Sequence, residues 1–253
     1  MINFLRNIRR KLIEIGNLNK YLIFAVGEIL FVMIGILLAL QVNNWNEARK
    51  EAKTESIYLE RLLSELKLDT LYFSNEIQGY KTNNQIIEDF SAAINNDNSQ
   101  DSILLGLANE FFRIGWVMPT FSPSTSTFDD LSSTGNLRVI TNTSLRGDIV
   151  NLYHLYRDVR DGFKVNHDWL TPIDALLTSQ FSGLKYDSTT AFLYPSQSFS
   201  ERINELRKDR EIYIRNASNH YWTNHSSSGM LTRLKGRSTE LMRKLEIELT
   251  RHN

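Results

Sequence analysis

The 253-residue chain contains no cysteine, which removes disulfides, thiolate metal sites and thiol nucleophiles. That absence is silent about the redox compartment, because large domains in oxidising compartments often need no bridges. Proline is nearly missing as well, at 4 residues, and neither proline nor glycine occurs from Ile36 to Gln78. Without a breaker the chain there can run as one uninterrupted helix. No alternating apolar–polar run longer than a few residues suggests a strand. Chemical signatures are equally scarce, with no His-Glu-x-x-His, no Gly-x-Ser-x-Gly and no glycine-rich loop closing on Lys-Ser/Thr. The histidines are scattered at 154, 167, 220, 225 and 252. His220 and His225 stand five apart, on different helix faces, which argues against a metal pair. His167-Asp168 could orient an imidazole, but no nucleophile stands near it. No enzyme activity, metal or cofactor is therefore expected.

What the sequence does contain is one long apolar run, YLIFAVGEILFVMIGILLALQV, from Tyr21 to Val42. About 20 residues at 1.5 Å each cover a hydrocarbon core of roughly 30 Å, and lipid demands a helix there. Tyr21 and Trp45 occupy the interfacial aromatic positions. The run is too long for a signal-peptide core and no clean small-x-small site follows it, so an uncleaved anchor is expected. Arg6, Arg9, Arg10, Lys11 and Lys20 precede it and Arg49, Lys50 and Lys53 follow, which favours a cytoplasmic N-terminus and a large C-terminal part outside the inner membrane. Glu28, Gly35, Ala39 and Val42 fall on one helix face. Gly35 and Ala39 form a small-xxx-small pair for close helix approach. A carboxylate in lipid usually faces protein or water, so Glu28, Gly35 and Ala39 are candidate helix–helix contacts; snorkelling of Glu28 is the alternative.

Zero net charge, 29 basic against 29 acidic residues, hides an asymmetry. Residues 1–50 carry 7 Lys/Arg and 3 Asp/Glu, residues 51–200 carry 11 and 19, and residues 201–253 carry 11 and 7. The acidic middle argues against nucleic acid as a partner. In residues 1–20, Leu5, Ile8, Leu12 and Ile15 alternate with basic residues, the pattern of an amphipathic helix on an anionic leaflet.

The fold class expected is all-α: one transmembrane helix followed by an extracytoplasmic antiparallel helical bundle with coiled-coil-like seams. The divisions are a cytoplasmic amphipathic helix at 1–20, the span at 21–42, a helix continuing outward over 43–80, and the rest of the bundle over 81–253. Leu59, Leu63, Leu66, Phe73 and Ile77 form a seam with Thr70 as its polar step. A second helix is expected near 82–94, a loop at 95–100, and a third helix from about Ser102 to Phe112. Ser124 or Thr125 can cap a short helix carrying Phe128 and Leu131, which Gly135 closes. Asn142 can cap the next, with Leu145, Ile149, Leu152, Tyr156, Val159 and Phe163 as its seam. Gly162 and Pro172 should limit that helix, with Leu170, Ile173 and Leu177 extending the seam. Residues 181–199 are turn-rich. Helices near 200–222 and 229–250 follow, the last with Leu231, Leu234, Leu241 and Leu245 in register.

Arg146 is singled out with Asp129 or Asp130, as a charge-assisted lock between the short and long helices or as a carboxylate-binding group. The aromatics Phe111, Phe112, Trp116 and Phe121 read as core or as a ligand groove. The opening FLRNIRRKL and KYLIFAVGEILFVMIGILLALQVNNWNEARK resembles an uncharacterised single-span membrane-protein family common in Bacteroidota, closely over residues 3–50. A second resemblance is Phe128, Leu131, Gly135, Leu137, Leu145, Arg146 and Ile149, within Thr125 to Tyr153. Beyond these stretches only the helical character matches. The resemblance implies an inner-membrane protein facing the periplasm and carries no assigned activity. Phe128, Asp129, Asp130, Gly135, Arg146 and Tyr153 are thus a structural motif or ligand contacts. Expected partners are membrane lipid and either a second copy or another envelope membrane protein. Two functional readings follow, an interaction or scaffold module and a small-ligand sensor whose output belongs to a partner.

Overall fold

A computed structural model describes residues 18–115, 120–180 and 183–252. Most of the expected amphipathic helix at 1–20 lies outside these residues, as do Trp116 and the side chain of Tyr21. The fold is all-α, with no strand among the described residues. Among the described residues six α-helices run in order: α1 (Leu18–Asn95), α2 (Asp101–Glu110), α3 (Ser126–Ser133), α4 (Thr143–Gln180), α5 (Phe199–Lys208) and α6 (Arg210–His252). The chain divides into two units at Glu55 and Ser56.

The first unit holds the apolar part of α1. Its most apolar 18-residue window has mean hydropathy 2.3 and none of it is buried. Leu22, Phe31, Leu38 and Trp45 are all more than half exposed. This is one helix long and apolar enough to cross a membrane.

In the second unit α1, α4 and α6 form the core of a bundle, and their polar contacts give their directions. Lys67 pairs with Glu246 and Asn84 with Asn224, so α1 and α6 are antiparallel. Asn142 meets Glu248 and Asn166 meets Ser227, so α4 and α6 are antiparallel too. Helices α1 and α4 therefore run the same way. That is possible because residues 120–136 return along α1 between them, as a strap. Tyr72 meets Thr120, Asp69 meets Ser124, Glu65 meets Ser126 and Tyr58 meets Asp130, in descending order along α1.

Two apolar cores fill the bundle. One joins Leu59, Leu66 and Phe73 of α1 to Leu131, Ile149, Tyr156, Leu234 and Leu245. The other, at the far end, joins Phe90 and Ile94 to Phe111, Phe112, Tyr186, Leu206 and Tyr213. Each fully buried Leu or Phe contributes about 1.5–3 kcal/mol of transfer free energy. Phe111 and Phe112, expected as core or groove, are core, lying in a π-helical turn (Phe111–Gly115) that ends α2.

Several boundaries differ from the sequence reading. The seam of α1 is Leu59, Leu62, Leu66, Asp69, Phe73 and Tyr80, while Leu63, Thr70 and Ile77 are half-buried. The spacing is still a heptad, but one of its inward positions carries a carboxylate. Leu63 and Ile77 flank that seam, and both pack partly against the first core. Helix α1 does not break near 80; it runs on to Asn95, and the turn after it falls at 96–100 as expected. Helix α4 is likewise not limited by Gly162 or Pro172. Pro172 is exposed, so the carbonyl it leaves unpaired can meet water. Gly162 lies against Met230 of α6, where a Cβ would stand 2.6 Å from Sδ and the methionine side chain would have to shift. The seam of α4 takes Asp174 inward in place of Ile173. Finally, the last two helices divide at Asp209 rather than near 223–228. Thr223 and Ser227, which fall between the two expected helices, are buried polar groups of α6 hydrogen-bonded inside the bundle.

Candidate functional site

The strap is held by side chains reaching out from α1. Glu65 accepts from the Ser126 hydroxyl at 2.6 Å, the Thr127 hydroxyl at 2.7 Å and the Thr127 N–H at 3.2 Å. A carboxylate from another helix thus caps α3, favoured by the free N–H groups and positive end of its dipole. Thr125, at the N-cap position, makes no capping bond to the backbone and instead donates to Asp129 at 2.7 Å. One turn along α1, Asp69 accepts from the Ser124 N–H and from the Tyr156 hydroxyl, both at 2.9 Å. Burial raises the Asp69 carboxyl above its ordinary range, while these two donors pull it down. Tyr72 holds the start of the strap, donating to the Thr120 carbonyl and accepting from the Ser122 N–H, both at 3.3 Å. Gly135 ends α3 with φ at 71°, the left-handed region that glycine adopts without strain. Asn142 then starts α4, its Oδ1 accepting from the Leu145 N–H at 3.1 Å, while its amide reaches Glu248 on α6 at 2.8 Å.

Between the strap and α4 lies a groove of about 570 Å³. Its walls are partly aromatic. Phe128 of α3 stacks on Tyr153 of α4 with centroids 4.2 Å apart and planes within 7°. Phe121 adds a third ring, 5.3 Å from Phe163. His154, Arg157 and Arg160 stand on the same side of α4 and line its rim, with Asp129 as the acidic group. The Tyr153 hydroxyl is buried without a partner, and burial pushes its pKa up, so it stays protonated.

Three of the residues expected in a site, Phe128, Asp129 and Tyr153, line this groove. The Arg146 lock does not form. Arg146 donates to the Ile140 carbonyl at 3.5 Å, while Asp130 takes Arg61 at 3.3 Å and Tyr58 at 3.2 Å from α1. The strap lies against α1, so Asp130 meets the Arg61 cation there. Glu28 is exposed on the apolar helix, and a Cβ at Gly35 would touch nothing within 4 Å. The described chain supplies no contact for Glu28, Gly35 or Ala39.

The family of unknown function DUF6090 matches residues 28–168, more than half of the 253-residue chain. The chain belongs to that family. Comparison with curated proteins and with solved structures gave no match. The DUF6090 region takes in most of the apolar run, the strap and the groove wall on α4, and stops before α5 and α6.

One polar constellation in this DUF6090 member went unread in the sequence. His220 Nε2 lies 2.8 Å from Asp174 Oδ1, which also accepts from the Asn216 amide at 2.8 Å. His220 is fully buried, and Asp174 and Asn216 nearly so. Asn166 donates to Ser227 and Asn224 to Asn84 in the same layer. The His220 Nδ1, Asn216 Oδ1 and Asn224 Oδ1 atoms are buried without partners. No motif joins Asp174 to His220 across 46 residues, yet a signal existed. Asn216, His220, Asn224 and Ser227 recur at helical spacing on the inward face that Leu231 and Leu234 continue. Among the described residues no three His, Asp or Glu side chains gather as metal ligands.

Proposed function

We propose that this DUF6090 member is a single-pass protein of the bacterial inner membrane, its N-terminus cytoplasmic and its bundle periplasmic. It acts as an interaction or scaffold module through its apolar helix and bundle. The observation that carries the reading is the wholly unburied apolar window of α1, a surface that water would leave uncovered at a cost of about 25 cal/mol per Å². The basic residues before the run favour the cytoplasmic N-terminus. Glu28, Gly35 and Ala39 share a face that a second copy, or another envelope membrane protein, can cover. The test is native mass spectrometry of the full chain in mild detergent beside Glu28→Ala. An assembly in the wild type that dissociates in the variant supports the reading. A monomer with nothing bound in both refutes assembly through Glu28.

A second reading, a small-ligand sensor signalling through a partner, is favoured by the groove between the strap and α4. Its volume lies within the range of small-molecule sites.

A further inference from the structure

We infer that the groove between the strap and α4 binds a small aromatic anion, a flat apolar body carrying a carboxylate or phosphate. The inference deepens the ligand-sensing reading and is independent of assembly through the apolar helix.

The charge of the ligand follows from the rim. His154, Arg157 and Arg160 recur every three residues along α4 and line the opening together. Arg157 has no hydrogen bond or ion pair among the described residues. Arg160 makes only a contact of 3.8 Å with Asp161, both side chains well exposed. Some other cations of the bundle are paired closely, as Lys244 is with Asp148 at 2.9 Å and Arg207 with Asp101 at 3.1 Å. Two guanidiniums with open donor forks therefore stand at the mouth of a concavity, the arrangement that takes carboxylate or phosphate in two-point contact. Asp129 is the only carboxylate among the lining residues, and the Thr125 hydroxyl already occupies one of its oxygens.

The body of the ligand follows from the walls. Phe121 and Phe128, both half-buried, line the groove, and Tyr153 is buried behind Phe128, stacked on its ring. Rings prefer to stack or meet edge to face, gaining about 0.5–1.5 kcal/mol beyond area burial. A volume of about 570 Å³ suits a one- or two-ring molecule. The phenol of Tyr153 is kept neutral by burial, so it adds no charge against an anion.

The test uses isothermal titration of the full-length chain in maltoside micelles, blanked against empty micelles. The probes are 1-naphthyl phosphate, 1-naphthoate, inorganic phosphate and the neutral 1-naphthyl glucoside. Arg157→Gln/Arg160→Gln is titrated alongside, with circular dichroism melting to show that these exposed changes leave the fold intact. The expected result is saturable binding of at least one aromatic anion. Its Kd should rise tenfold or more in the double variant and in raised salt, with inorganic phosphate and the glucoside at least tenfold weaker. Equal binding of the aromatic anions by the double variant overturns the inference, as does no binding of either at millimolar concentration. Glucoside binding as tight as the anions removes the anionic specificity yet leaves a ligand groove and the sensing reading standing. Inorganic phosphate binding as tight as naphthyl phosphate reduces the site to an adventitious ion only. None of these outcomes bears on assembly through Glu28, which native mass spectrometry reads separately.

Discussion

Replacing Glu65 by alanine should release the strap from α1. The carboxylate takes two hydroxyls and one N–H, at 2.6, 2.7 and 3.2 Å, across the N-terminus of α3. Hydrogen bonds to a charged group contribute about 1.5–3 kcal/mol each when one partner is removed, but the three share one carboxylate. A lost cap costs about 0.5–2 kcal/mol and a lost dipole interaction about 0.3–1 kcal/mol. Thr127 is fully buried, so water cannot replace Glu65 there without rearrangement. The combined loss is about 2–4 kcal/mol, and at about 2–4 °C per kcal/mol for a domain of this size Tm should fall by roughly 4–16 °C. Glu65→Gln keeps one acceptor and loses the charge, so its loss should be about half as large. Amide hydrogen exchange separates local from global effects. Protection should drop first at Thr127 through Leu131, with the amides of α4 and α6 protected until global unfolding. A Glu65→Ala protein with unchanged Tm and unchanged exchange over α3 would refute the view that α1 holds the strap by this carboxylate.

Asp69 carries a pH prediction. Its folded pKa is raised, mainly by burial, so its contribution is full below the unfolded value and is lost as pH rises through the folded one. The wild type should therefore gain stability over Asp69→Asn as pH falls from neutral toward the unfolded carboxyl value; urea titrations with a pH-independent difference would contradict this. In the buried layer, Asp174→Ala or His220→Ala alone should cost about 3–5 kcal/mol, because each leaves a polar group uncompensated. The double alanine variant should lose less than the two single changes combined, and strict additivity in denaturant unfolding would count against direct coupling.

Element type was legible wherever the apolar period was long. Leu145 through Phe163 and Leu231 through Leu245 pack inward as their spacing required, and Gly135 and Asn142 mark the ends that their backbone chemistry permits. Boundaries failed where a breaker was read by its local preference alone. Gly162 fits against Met230 and Pro172 faces solvent, so neither ends α4. The polar inward positions Asp69, Asp174 and His220 failed for a related reason. A charged or amide residue in a heptad is read as surface unless its partner is known, and those partners lie 87 and 46 residues away.

The sequence by itself determined the all-α class and the single apolar helix, because both rest on interactions within a few residues: backbone pairing, breaker absence and side-chain period. It also placed Phe128, Asp129 and Tyr153 among the residues of interest. Tertiary structure alone decided that α1 and α4 run the same way, that the strap returns between them, and that Arg146 turns away from the acidic pair. Those outcomes depend on which distant carboxylate meets which donor in the assembled bundle, and local patterning carries no record of that choice.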